Sequence, residues 1–334
     1  MKSKIDILEN DILKDYPSIL EILLKDQTTK ENIIWATNNY EHFGNKYSKE
    51  KTIEIELITG DNGNIIMPRT QKKTLSQISR TKDMAEVFTP SWVCNFQNNS
   101  IDDLWFNRKN TFNRASDKKS SIRWETVKDR VLFPRGKTWK DYIKQKRLEI
   151  TCGEAPYVTS RYDTVSGEFI DIEDRIGFLD RKMRVINENI HNSREWLRAA
   201  QIAYKNTYAY EWQGDSLLLA RQSLLFTFIE NYKYKFEREP VIRSIRCIAD
   251  IISWNVWQMD GLKGVIPFSC HQTLQEKTDL FLEEETKYHN CLGCSNNNIF
   301  EHNGTYCLIK DWTTKELDTG LIGKKVMFID LIRT

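Results

Sequence analysis

The chain has 334 residues, with 49 Lys and Arg against 47 Asp and Glu, a formal charge of +2, and hydrophobic and charged shares of 40% and 29%. This is the balance of a chain that buries a core, and it excludes a disordered or fibrous polymer. No apolar run approaches the ~20 residues that a bilayer crossing needs, and the opening MKSKIDILENDILKDYPS lacks the apolar stretch and small-residue cleavage site of a secretory signal. Without secretion, the seven cysteines point to free thiols or a metal rather than a disulfide framework, and the expected location is the cytoplasm, with no membrane partner.

Residues 5 to 40 carry Ile5, Leu8, Ile12, Ile19, Leu20, Ile22 and Leu23 at helical spacing, broken at Pro17, and predict helices. The alternation in KTIEIELIT (51–59) predicts a strand, and GDNGN after it a turn. Strands are predicted at RLEITC (147–152), TYAYEWQ (207–213) and IISWNVW (251–257), with a hairpin in RYDTVSGEFIDIEDR (161–175). Helices are predicted at 175–189, at 193–205, in a long apolar segment opening at Asp215, and after Pro240. Strands alternating with helices imply an α/β fold with a mostly parallel, Rossmann-like sheet. The expected organisation is a helical N-terminal region (1–115), an α/β core (116–268) and a small Cys/His-rich module (269–334).

Charge is distributed unevenly. From Trp105 to Arg147 there are 14 Lys or Arg and 4 Asp or Glu, interleaved with Trp105, Phe112, Trp124, Phe133, Trp139 and Tyr142. Such a segment serves either as a phosphate-contacting surface or as a solvated connector.

Three strand ends could hold a nucleotide-like cofactor. LEITCGEAPY (148–157) runs into a loop at Gly153, where a bare backbone allows close approach. Glu211 ends the next strand, where a carboxylate can accept both ribose hydroxyls. Trp212 beside it could face an adenine ring or belong to the core, and Asp215 reads as a helix cap. Asp260, before Gly261, could accept an exocyclic amine or could simply make an Asp-Gly turn.

These segments resemble a family of DNA adenine-N6 methyltransferase-like proteins, labelled as restriction-system modification subunits. The resemblance spans roughly residues 65 to 334 through AEVFTPSWV, RLEITCGEAPY, SRYD, RIGFLDRKMRVINEN, YEWQGDSLLLAR and IISWNVWQMDGL, in that order. It implies a class I methyltransferase fold that binds S-adenosylmethionine. Phe88, Thr89 and Pro90 would hold the methionine end, Gly153, Glu154 and Ala155 the loop, Glu211 and Trp212 the nucleoside, and Asp260 the adenine. DNA would be the partner, along with a restriction or specificity subunit. The family loop has a second glycine, where this chain has Glu154, Ala155 and Pro156.

The target-base motif of adenine-N6 transfer (Asn or Asp, Pro, Pro, then an aromatic) is absent, since no two of the seven prolines are adjacent. Asn255 and Trp257 are the nearest substitutes, and the catalytic residues stay unassigned. A catalytically inactive relative that binds DNA or assembles a complex is the alternative reading. Finally, CLGCSNNNIFEHNGTYC offers Cys291, Cys294, His302 and Cys307 as ligands of a structural zinc, with Cys270, His271 and His289 as spares. The competing reading is free thiols in a loop.

Overall fold

The computed structural model describes residues 9–72, 89–116, 123–275, 287–315 and 322–333. The N-terminal helices are α1 (Glu9–Asp15) and α2 (Pro17–Leu24). The helical reading to residue 40 stops there, because Asp26 Oδ1 accepts from the Thr28 and Thr29 N–H groups, both at 2.8 Å, and closes a turn. The strand expected at 51–59 is a single bridge, Ile34 with Thr52, followed by a short 3-10 turn at Ile55–Leu57. Leu57 and Ile58 are both buried, which consecutive residues of a one-faced strand cannot be.

Next come α3 (Ser91–Phe106), the antiparallel pair β1 (Asn113–Ala115) and β2 (Trp124–Thr126), and α4 (Trp139–Ile143). Then β3 (Arg147–Glu149), α5 (Phe178–Asn189), α6 (Ser193–Lys205), β4 (Thr207–Glu211), α7 (Gly214–Phe236), α8 (Ile242–Asn255) and β5 (Val256–Gln258) form the α/β part. The three strands lie parallel in the order β3-β4-β5. Among the described residues the other strands form antiparallel pairs: β1 with β2, β6 (Thr273–Gln275) with β7 (Lys287–His289), and β8 (Leu308–Lys315) with β9 (Ile322–Met327). Between β7 and β8 lies the short helix α9 (Leu292–Asn296). The fold is mixed α/β with a small parallel sheet. Among the described residues no helix is long and apolar enough to cross a membrane.

Local chemistry accounts for these elements. Asn192 caps α6 by accepting from the Arg194 and Glu195 N–H groups, and Trp196, Ala199, Ala200, Ala203 and Tyr204 make its buried stripe. Helix α7 is buried on all sides over most of its length because it runs through the middle of the core, with Leu217, Leu218, Leu219, Leu225 and Phe228 beside the buried polar Arg221, Gln222 and Thr227. It starts at Gly214 because a Cβ there would meet the Ile34 carbonyl at 2.1 Å. The expected strand at 251–257 divides in two: helix to Asn255, strand from Val256. An apolar run this short fits either period, and burial of Ile245, Ile248 and Ile252 at helical spacing decides for the helix.

One face of the sheet (Ala209, Val256) meets the helices, in a core that runs from Ile12 to Val256 and so crosses the expected boundary at residue 115. The other face (Tyr208, Tyr210, Trp257) is covered by Ile266, Cys307 and Ile309 from the C-terminal part.

A second layer of specification is polar. Buried Asp102 of α3 pairs with Arg147 of β3 and, at 2.5 Å, with Arg181 of α5, and accepts from the Tyr142 hydroxyl at 3.0 Å. Asp102→Ala would strand two buried guanidiniums, and urea unfolding should show a loss of about 3–5 kcal/mol. Asp180 Oδ2 accepts from the Ser160 N–H (2.8 Å), the Ser160 hydroxyl (3.0 Å) and the Gly177 N–H (3.0 Å). Burial still outweighs those bonds and pushes its carboxyl up to about 6. The folded chain therefore keeps, between about pH 4 and 6, a proton that the unfolded chain has released, so this group's contribution falls as pH rises through that window. The stability of wild type relative to Asp180→Asn, followed by urea unfolding, should drop by about 2 kcal/mol from pH 4 to pH 6.

Candidate functional site

The carboxyl ends of β3 and β4 meet in one loop. Thr151, Gly153 and Ala155 all have left-handed backbone, at φ 46°, 54° and 59°. Left-handed conformation costs a non-glycine residue roughly 1–2 kcal/mol, so two residues bear strain in a five-residue turn, a density that gathers at functional loops. Ala155 adopts the left-handed conformation that a glycine would take without cost.

Glu211 closes the loop from below. Its Oε2 accepts the Gly153 N–H at 2.7 Å and its Oε1 accepts the Gln213 N–H at 3.1 Å. Burial raises its carboxyl above the ordinary range, against the pull of those N–H groups. Glu149, which the sequence reading passed over, lies under the same loop. Its Oε2 accepts the Val158 N–H at 3.1 Å, and burial holds its carboxyl well above the usual value. An acid on the strand feeding a glycine loop was the signal for it.

The other expected residues divide. Phe88 lies outside the described residues. Thr89 and Pro90 are tied to the turn at 163–164: the Thr89 carbonyl accepts from the Thr164 hydroxyl at 3.1 Å, and Asp163 Oδ2 takes the Ser91 N–H at 2.7 Å. Trp212 donates from Nε1 to the Ala36 carbonyl at 3.0 Å and meets Phe268 edge-on. Glu154 is turned inward, accepting from the Arg69 N–H (2.7 Å) and the Tyr162 hydroxyl (2.6 Å). The cap position of α7 is Gln213, and Asp215 lies inside the first turn, where it takes Lys72 at 3.0 Å and the Tyr40 hydroxyl at 2.7 Å.

Asp260 makes a turn, accepting the Leu262 N–H on Oδ1 at 3.0 Å while its backbone bridges to Val265. Asn255 donates to the Tyr204 and Thr207 carbonyls and accepts from Trp312, and Trp257 is packed on Tyr210 and Phe328. Both are structural, which removes them as amine acceptor and stacking ring. In the basic segment, Phe112, Trp124 and Tyr142 are buried and Trp105 packs on Phe133 and Tyr142, while Arg108, Lys109, Lys128 and Arg130 are exposed. Lys118 and Lys119 lie outside the described residues.

The second candidate is a cluster of Cys270, Cys291, Cys294 and His302, whose ligand atoms all lie within 4.8 Å of one another. The three sulfurs stand 3.6, 3.5 and 3.7 Å from His302 Nδ1. Tetrahedral zinc with its usual Zn–S and Zn–N lengths places S and N about 3.5 Å apart. The set fits one zinc ion, with four protein ligands and no open position. The Asn303 N–H donates to Cys291 Sγ at 3.3 Å. Although desolvation opposes it, this and the other donors around Cys291 hold its thiol below the ordinary value. Gly293 is required: a Cβ there would meet the His302 backbone N at 2.6 Å.

Cys307 is not in the group, and Cys270 takes the place expected for it. The segment around Tyr306 pairs with Val265, and the Cys307 N–H donates to Gly264. Side chains alternate there, so Tyr306 accepts the His302 N–H at 2.9 Å while Cys307 points into the core, 3.4 Å from the Gln258 carbonyl. His271 and His289 also fall outside the group.

Compared with known protein families, curated proteins and solved structures, the chain matches none.

Elemental analysis should find about one zinc per chain. Cys270→Ser should lose it, whereas Cys307→Ser should keep it and lose stability through core packing; the reverse pattern would reject this ligand set.

Proposed function

We propose that this protein binds S-adenosylmethionine at the β3–β4 loop and acts on DNA as an adenine-N6 methyltransferase-like protein of a restriction-modification type system, on a class I methyltransferase version of the α/β fold. One observation carries the reading: the left-handed Gly153 and the buried carboxylate of Glu211 sit 2.7 Å apart at the carboxyl ends of adjacent parallel strands. This is where open α/β sheets hold nucleotides, with backbone approach at the glycine and an acid for the ribose. Thr89 and Pro90 would take the methionine end, and half-buried Trp212 follows Glu211. When bound, the cofactor supplies an activated methyl group. This chain contributes the ribose acceptor at Glu211 and the bare backbone at Gly153, with Trp212 next to the acid.

Zinc at Cys270, Cys291, Cys294 and His302 is structural in this reading. It fixes the chain before the Tyr306 segment that covers the second face of the sheet. The exposed cations between Arg108 and Lys146 suit a DNA partner, as they can release counterions from a duplex.

The second reading is a non-catalytic relative that binds cofactor and DNA within an assembly containing a restriction or specificity subunit. It is favoured by the structural employment of Asn255 and Trp257 and by the absence of adjacent prolines. Both readings require the cofactor, so calorimetry comes first. Wild type should bind S-adenosylmethionine, and Glu211→Ala should weaken binding by about 1–3 kcal/mol, the scale of a lost polar partner in a closed site. Labelled-methyl transfer to mixed-sequence DNA then separates the two. No cofactor binding by folded protein overturns both.

A further inference from the structure

Helix α3 reverses the usual arrangement of a surface helix. Its polar side chains face the core: Ser91, Asn95, Asn98 and Asp102 are buried, along with Cys94 and Phe106. Asn95 and Asn113 exchange amide bonds at 3.0 and 2.8 Å, and Asn95 also accepts from Arg181 at 2.8 Å. Asn98 donates to the Tyr157 and Ile176 carbonyls at 3.0 and 3.1 Å, and Asp102 holds Arg147 and Arg181. The apolar side chains take the solvent side. Leu104 is 84% exposed, Phe96 68%, Ile101 51% and Trp92 39%. An amphipathic helix that only served its own fold would place the two faces the other way round. The polar network accounts for the inward face, and the outward one is left to water.

Trp92, Phe96, Ser100 and Leu104 follow one another at i+4, so they form a single ridge along about 18 Å of helix. Ser100 is exposed and its hydroxyl turns back to the Phe96 carbonyl at 3.0 Å, which leaves a notch between Phe96 and Leu104. Such a ridge fits the groove between the i±4 rows of a second helix. The charge at its C-terminal end has one sign. Arg108 and Lys109 are exposed just beyond α3, and exposed Lys137 donates to the Trp105 carbonyl at 3.0 Å and lies 4.5 Å from the centre of that ring. Arg108 donates to the Thr111 hydroxyl and the Leu132 carbonyl, and among the described residues no carboxylate pairs with Arg108, Lys109 or Lys137. Of the two acids on α3, Asp102 is taken by the buried arginines and Asp103 is half-buried.

We propose that the outer face of α3 is a docking surface for a partner protein, which lays an amphipathic helix with acidic flanks across the ridge. The partner's apolar face covers Phe96, Ile101 and Leu104, and carboxylates on its flank meet Arg108, Lys109 and Lys137. Nucleic acid suits the face less well. Phe96, Ile101 and Leu104 have no donor for a phosphate, and Ile101 and Leu104 have no ring to stack on a base. A second copy of this chain would bring the same cations, with no exposed acid on α3 to meet them. Docking at this face requires no cofactor at the Gly153 loop.

The test uses the full chain and two labelled synthetic helical peptides, each about 18 residues long to span the ridge. Both carry the same leucine face, one with glutamates and the other with lysines on its polar side, and binding is read by fluorescence anisotropy. The glutamate peptide should bind at least about tenfold more tightly than the lysine peptide. F96S/L104S, which alters only exposed side chains, should lose about tenfold or more of that affinity while its urea unfolding stays that of wild type. R108Q/K109Q/K137Q should weaken binding at low salt and flatten its salt dependence. Equal affinity for the two peptides, unchanged affinity in F96S/L104S, or no binding of the glutamate peptide at about 1 mM overturns the proposal. An oligonucleotide that binds wild type but not F96S/L104S would overturn it in favour of nucleic acid. A wild-type dimer in sedimentation that F96S/L104S dissolves would overturn it in favour of a second copy.

Discussion

Arg221, wholly buried on α7, is the interaction on which the rest of the arrangement depends. It donates to the carbonyls of Leu23 (2.5 Å) and Lys25 (3.0 Å) at the end of α2, to Val256 (2.8 Å) at the start of β5, and at 3.4 Å to Ser253. Burial lowers its pKa to about 10, so the cation is kept by carbonyl oxygens and by the more distant field of Asp26. A guanidinium presents five N–H donors in a fixed plane, and no apolar side chain could satisfy those carbonyls. Gln258 repeats the device one strand-length on. Its amide accepts from the Ile34 N–H at 2.9 Å and donates to the Ile34 and Trp212 carbonyls, both at 2.8 Å. Together they fasten the N-terminal region across the ends of the sheet, and bring Tyr40, Arg69 and Lys72 onto Asp215 and Glu154 around the loop.

That fastening explains the character of the site. Glu149, Glu154, Glu211 and Asp215 are four buried acids within one loop and its helix start, and each is met by N–H groups, a hydroxyl or an ammonium. Buried charge without such partners would cost several kcal/mol per group. Of the left-handed residues at 151, 153 and 155, Gly153 gives its amide to the Glu211 carboxylate, while the Ala155 N–H closes the turn on the Cys152 carbonyl. Remove the N-terminal region and Glu154 loses the Arg69 N–H, and Asp215 the Tyr40 hydroxyl and the Lys72 ammonium.

Much of this was legible in the sequence wherever one signal dominated. Ser193–Lys205 was readable to the residue, because Asn192 caps it and the apolar period is uninterrupted. The long helix at 214–236 and the strand at 207–211 were equally plain, as were Gly153 and Glu211 at successive strand ends. Other features were decided at long range. Whether 251–257 is strand or helix rested on burial against α2 and α7, and KTIEIELIT lost its strand to a turn that buries Leu57 and Ile58. The metal ligands show the same limit. Cys307 is nearer in sequence to His302 than Cys270 is to Cys291, yet pairing with Val265 turns Cys307 into the core.

The central claim is that the loop following β3, met by the carboxyl end of β4, is a cofactor site, and hydrogen exchange read by mass spectrometry tests it most directly. On adding S-adenosylmethionine, peptides covering residues 150–158 and 211–216 should gain protection together, as the Gly153 amide and the Glu211 strand end close around one ligand. Peptides of the Cys/His cluster should be unchanged. Protection confined to other segments, or no change at saturating cofactor, would contradict the account.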